Sequence, residues 1–262
     1  MSLGSISAAT DDINHGRNAN VDDLTAWTVL ALVNIRSGLG SGTQTIWAKQ
    51  RNGAGGATGY RICNARTTGQ IQCNVGFTTT EAHHRSANSA GNILTADTWH
   101  IVGFTFDGTD TACFLGDRDN PIAETAYDGN ETSGSGSQRS DASWDILVGN
   151  VTAFSIAWQG DIAWVGHWNR VLTIGQMISQ QYHPRRTSGC VQFTHYGYNG
   201  LVSALDLSGE GLHGTITGCA VTDHPPIRSA YRRRVDAGRS TAGGSGPTVP
   251  IFDHHYRSRR VA

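Results

Sequence analysis

The stretch Trp158–Thr173, WQGDIAWVGHWNRVLT, places three of the chain's seven tryptophans within eleven residues, beside His167 and Arg170. Aromatic rings at a loop edge could stack on a sugar, and a histidine with an arginine could do acid–base chemistry. The inside of a sheet would show the same residues. Two histidine pairs, in EAHHR (81–85) and FDHHY (252–256), raise the question of a metal. Neighbouring residues on an extended chain point to opposite faces, so one site would struggle to use both members of a pair. Solvated or interface histidines are the plainer reading, and no metal ligand is assigned. Hydrolysis of a glycosidic bond with retention needs two carboxyls about 5–5.5 Å apart. The four glutamates, Glu81, Glu124, Glu131 and Glu210, have no carboxylate at such a spacing on a strand. A phosphate-binding loop, a nucleophile elbow and an H-E-x-x-H motif are all missing. No catalytic residue is expected, and the chain is not expected to be an enzyme.

The elements that would position these residues are strands. Of 262 residues, 33 are glycine, 38% are hydrophobic and only 16% are charged, which suits short strands joined by tight turns. Alternating patterns predict strands at 27–35, 45–49, 59–64, 70–75, 99–106, 111–115, 144–149 and 161–168. ARTTG, DGTD and GDRDNP supply the turns. The Gly/Ser-rich segments RNGAGGATG and DGNETSGSGSQRSDAS are expected at the ends of the sheets. One helix is expected in LTIGQMISQQYHP, with Thr173 as N-cap, Gln176 completing a capping box, and Pro184 beyond its end. Within these strands Trp27, Trp47, Trp99, Trp144, Trp164 and Trp168 read as core. That leaves Trp158 at a loop edge, with Tyr196 and Tyr198, as candidates for contact with a sugar.

Five cysteines without a C-x-x-C pair argue against a zinc site, and buried free thiols are the default reading. A cross-strand bridge between Cys63 and Cys73, symmetric about Thr68, is the alternative. The Asp- and Asn-rich GDRDN (116–120) offers oxygen ligands of the kind calcium takes. No cofactor is expected, calcium being the one ion left open. No apolar run approaches the ~18 residues of a membrane span. The N-terminal residues carry no secretory signal pattern, so synthesis in the cytoplasm is expected, with a virion or an extracellular surface as the final location.

Charge is split along the chain. From Arg228 onward eight arginines face two aspartates, a balance of +6, and the preceding residues carry −7. Two segments are therefore expected, a domain at 1–227 and a basic arm at 228–262. In the arm, Arg232, Arg233, Arg234, Arg257, Arg259 and Arg260 would hold register on an acidic neighbour, with Phe252 and Tyr256 as apolar anchors. The same arginines could meet phosphates, but the acidic domain beside them argues against nucleic acid.

Four segments, in order, resemble one family. LTADTWHIVGFTFDGTDTACFLGD is similar to the central hairpin of laminin-G-like jelly rolls of the concanavalin A-like lectin/glucanase superfamily, phage-encoded members among them. WDILVGN resembles the strand that follows. WQGDIAWVGHWNRVLTIGQM resembles the family's strand-into-helix signature through Gly160, Ile162, Val165, Trp168, Asn169, Arg170, Leu172 and Thr173. DLSGEGLHGTITG is similar to the segment after it. The resemblance, over roughly residues 10–226, implies a two-sheet antiparallel jelly-roll sandwich; with the helix and the basic segment read above, the expected fold is all-β with one short helix and an extended C-terminal arm. The glucanases' E-x-D-x-x-E motif is absent, and the family's acidic pair falls on Ala163-Trp164. The expected function is a non-enzymatic structural or surface subunit, first of all a phage virion component (head decoration, tail or fibre), whose partners are other copies or other virion proteins. The alternative is a lectin that binds cell-surface glycan, and a glycoside hydrolase comes third. With a regular pleat, Ile162, Trp164, Gly166 and Trp168 would share one buried face; a bulge would change that register.

Overall fold

The computed structural model describes residues 2–4, 12–36, 43–49, 61–151, 157–196 and 204–222. Two antiparallel sheets stack face to face. The first contains β1 (Ser2–Gly4), β3 (Trp27–Ile35), β8 (Trp99–Phe106), β9 (Thr111–Asp117), β10 (Ala123–Glu124), β12 (Gly160–Trp168), β13 (Cys190–His195) and β15 (Ala220–Thr222). Its order is β10-β9-β8-β3-β12-β1-β15, and β13 also pairs with β12. The second contains β2 (Asp12–Gly16), β4 (Gln44–Lys49), β5 (Arg61–Ala65), β6 (Ile71–Val75), β7 (Ala82–Arg85), β11 (Ile146–Val148) and β14 (Thr215–Thr217), in the order β14-β2-β11-β4-β5-β6-β7. This is the jelly-roll sandwich that the resemblance implied.

Alternation explains the packing between the sheets. Trp27, Val29, Ala31, Val33 and Ile35 of β3 point inward, as do Val102, Phe104 and Phe106 of β8. They meet Trp47, Cys63, Ala65, Ile71, Cys73 and Val75 from the second sheet. A second apolar cluster lies on the other face of the first sheet, built from Leu30, Ile101, Ile122, Trp164, Trp168 and Phe193. The helix α1 (Ile174–Tyr182) closes it with Leu172 and Met177. Its start is as expected: the Thr173 hydroxyl accepts from the Gln176 amide, and the Gln176 side chain accepts from the Thr173 amide. Gln181 ties the other end to the β9–β10 loop by donating to the Asp117 and Asn120 carbonyls at 2.7 and 3.0 Å.

β12 serves both cores through a bulge. Ile162 opposes Val33 and Trp164 opposes Leu32, so Ala163 is the extra residue. Ile162 and Val165 consequently face the inter-sheet core, while Trp164 and Trp168 face the helix. The regular pleat expected here is broken. Trp164 nevertheless stays buried, because Phe193 and the helix side cover it. Gly166 sits between the two tryptophans, and a Cβ there would lie 2.4 Å from the Trp168 ring.

Two further departures have local causes. The predicted strand at 144–149 shrinks to β11, leaving Trp144 half-buried outside it. The segment 126–138, most of it in the DGNETSGSGSQRSDAS (128–143) expected at a sheet end, instead runs along the outer edge of β7. His83 and Thr132 exchange backbone hydrogen bonds at 2.9 Å, Thr80 and Ser135 pair next to them, and Arg85 is ion-paired with Asp128. Its glycines and serines read as a free loop because most of the pairing is made by backbone groups. RNGAGGATG lies outside the described residues.

Candidate functional site

Trp158, expected at a loop edge, is fully buried in the inter-sheet core, and its amide donates to the Gly149 carbonyl at 2.6 Å. Tyr196, also expected at the surface, is buried as well. His15 explains why: its Nδ1–H donates to the Leu212 carbonyl at 2.7 Å, so Nε2 accepts from the Tyr196 hydroxyl at 3.0 Å. Burial pushes His15 down to about 4, which keeps this acceptor neutral. Neither ring is available as a sugar platform. Tyr198 and the arm residues Arg232, Arg233, Arg234, Phe252, Tyr256, Arg257, Arg259 and Arg260 lie outside the described residues.

The histidine of the opening cluster belongs to a buried charge network. His167 lies 5.0 Å from the Trp47 ring and edge-on to Trp27. Arg61 Nη1 donates to His167 Nε2 at 3.5 Å, Arg61 Nε meets Asp141 at 2.5 Å, and a third guanidinium nitrogen donates to the Val21 carbonyl. Lys49, equally buried, pairs with Asp22 at 2.6 Å and Asp141 at 3.3 Å, and donates to the Asp141 and Trp144 carbonyls. Burial first, then the charges of Arg61 and Lys49, hold His167 well below the ordinary histidine range. Every cation here has an acid partner, so the network locks β4 and β5 to the 141–144 turn.

The other buried acids are also occupied. Asp161 receives Arg36 at 2.9 Å and the Thr222 hydroxyl at 3.0 Å. Asp206, in the DLSGEG segment, accepts from the amides of Phe193, Ser208 and Leu212 and from the Ser208 hydroxyl; these bonds outweigh burial and hold its carboxyl below the usual range. Asp117 of GDRDN accepts from the Asp119 and Asn120 amides and the Asn120 side chain. Among the described residues no group of three or more His, Cys, Asp or Glu could hold a metal ion. The described cysteines are free thiols, Cys63 standing directly across from Cys73.

A ligand-like surface forms on the outer face of the second sheet. Because Cys63, Ala65, Cys73, Val75 and Ala82 point into the core, Asn64, Gln72, Asn74, His83 and Arg85 must point outward. Register aligns them in two rows, Thr45–Asn64–Gln72–Arg85 and Asn74–His83. No described helix covers this face, as α1 lies on the other sheet. Thr45, Asn64 and Gln72 are buried, so the accessible part of this face is Asn74, His83 and Arg85, each half-buried. Thr45 Oγ1, Asn64 Oδ1, Asn74 Oδ1 and His83 Nδ1 are all buried without a hydrogen-bond partner. Unpaired buried polar atoms are costly, and several on one face amount to a prepared set of contacts. Sequence reasoning missed these residues because it sought aromatic rings. The signal was the polar phase of RICNA and IQCNV, whose amides alternate with core thiols.

A scan against protein-family models finds no match, and a search of curated proteins finds none. Solved structures do match. A putative carbohydrate binding protein from Bacteroides ovatus superposes with a TM-score of 0.56 at 14% identity, over 86% of this chain and 61% of that one. The fold is a concanavalin A-like, laminin-G-like jelly roll. This jelly roll spans about three fifths of the length of that structure. Weaker similarity reaches the LG1-3 region of the laminin α2 chain (TM-score 0.41, 8% identity, 63% of this chain and 31% of that). It also reaches tailspike protein 2 of the Escherichia coli O157:H7 bacteriophage CAB120 (0.44, 11%, 65% and 23%).

Proposed function

We propose that the chain is a non-catalytic carbohydrate-binding jelly roll that holds glycan on the outer face of β5, β6 and β7. The amide row carries this reading. Asparagine and glutamine each present a donor and an acceptor, which suits the paired hydroxyls of a sugar, and the unpartnered oxygens of Asn64 and Asn74 await donors, whereas Gln72 already accepts from Arg66 at 3.4 Å. The description of the Bacteroides ovatus structure as a putative carbohydrate binding protein supports the ligand class. The non-catalytic part rests on the buried aspartates, each fixed by its own partners. A glycan array followed by calorimetric titration tests the proposal. Asn74→Ala should weaken binding by about tenfold, roughly one lost hydrogen bond to a buried group. No binding at millimolar oligosaccharide, or an Asn74→Ala variant that binds as well as the parent, would overturn it.

Charge asymmetry favours a second reading, a structural subunit of a larger assembly such as a virion component. A basic segment at 228–262 behind an acidic domain is suited to joining copies. Removal of 228–262 should then lower the sedimentation coefficient; an unchanged assembly would exclude this role for the segment.

A further inference from the structure

Away from the sheet faces, an open groove of about 410 Å³ lies where β12 ends and β13 begins. Asn169, Arg186, Ser188, Gly189 and Glu210 line it. Its walls are fixed. The Asn169 amide donates to the Gly189 carbonyl at 2.9 Å, and Arg170 Nε donates to the Ser188 carbonyl at 3.1 Å. On the far side, Glu210 accepts from Asn20 at 2.6 Å, and its carbonyl accepts from Asn18 at 2.9 Å. Gly189, at φ +77°, keeps the floor clear: a Cβ there would stand 2.8 Å from the Asn169 side-chain oxygen and 3.2 Å from Arg170 Nε. Gly209, at φ +94°, lets the Arg186 guanidinium lie close against the backbone, 3.0 Å from where its Cβ would be.

The lining groups are unequally occupied. Arg186 is exposed and has no hydrogen bond or ion pair with any described residue, nor have the side chains of Asn169 and Ser188. Glu210, the acid of the lining, is bound to Asn20. Cys190, raised to about 12 chiefly by burial, is a neutral thiol and does not compete for the guanidinium. A free guanidinium beside a free amide and a free hydroxyl is a donor fork next to polar groups that pair with hydroxyls. We propose that this groove binds a carboxylated sugar of the uronic-acid class, its carboxylate on Arg186 and its hydroxyls on Asn169 and Ser188. The volume is within the range of small-ligand sites, and the hydroxyl-pairing groups favour a sugar acid over an acidic peptide.

Titration calorimetry of the full chain with D-glucuronate, D-glucose and a hexaglutamate peptide tests this. Glucuronate should bind, glucose about tenfold or more weaker, and raised salt should weaken only glucuronate. Arg186→Ala should lose about tenfold or more in affinity, and Arg186→Lys should fall between. Circular dichroism checks that both variants are folded. No binding of glucuronate, equal binding of glucose, an unchanged Arg186→Ala variant, or binding of hexaglutamate in place of glucuronate would each overturn the proposal. Arg118→Ala, at an exposed loop residue outside both sites, should leave glucuronate affinity unchanged. With Asn74→Ala testing the outer sheet face and Arg186→Ala the groove, the two sites can fail separately.

Discussion

Arg61 and Lys49 are the residues most exposed to error in this fold, because each is a fully buried cation. Their Coulomb gain is offset by desolvation, so the pairs add little net stability while intact. Removing one partner is different, since it strands a charge in the core. Asp141→Ala should cost roughly 3–5 kcal/mol, measured by urea unfolding. The neutral histidines set the acid side of the stability curve. His15 and His167 both have folded values below the ordinary 6.5. The unfolded chain therefore binds protons that the folded chain does not, and stability falls as pH drops below about 6.5. For His15 the loss continues down to its folded value of about 4. His167→Gln keeps an acceptor for Arg61 and should flatten part of that slope between pH values of about 7.5 and 5. An unaltered slope would show that His167 is not responsible. Burial also pushes the Cys63, Cys73 and Cys113 thiols up. An aromatic disulfide reagent at neutral pH should label the half-exposed Cys219 first and reach these three only on unfolding. Sequence patterning gave no warning of the network: Arg61 and Lys49 stand beside turn residues, where cations are normally solvated.

At the scale of elements, strand periodicity was legible almost to the residue for β3 and β8, since long regular alternation leaves one register. The helix was legible for another reason, a cap whose chemistry is local. Thr173→Ala should cost about 1 kcal/mol by thermal denaturation. What could not be read was the bulge at Ala163. Shifting one residue sends Trp164 away from Ile162, and the residues on either side of the shift, Ile162, Ala163, Trp164 and Val165, are all apolar enough to be buried on either face. The site was missed for a related reason: whether Asn64 or Cys63 faces outward depends on which sheet partner they meet. Gly166→Ala offers a direct test of the packing above the bulge. Its new methyl would collide with the Trp168 ring, and a loss of roughly 1–3 kcal/mol is expected. A neutral effect would mean that the ring moves aside freely.

At the scale of the whole molecule, the described residues form two apolar layers sharing one sheet, and the resemblance recognised in the sequence extends to both. Its strand-into-helix signature spans the bulge that feeds them. Function was less legible, because Trp158 and Tyr196, which suggested a sugar platform, went into the core, while the outer face of the second sheet was left to polar side chains. One feature of the edge of the second sheet bears on how copies can meet. The segment 126–138 already occupies the backbone groups of β7 that an incoming strand would use. Copies cannot stack there as a continuing ribbon. On that side the protein is protected from fibrous polymerisation at high concentration, and contact between copies must be made through side chains, where a single substitution can tune or abolish it.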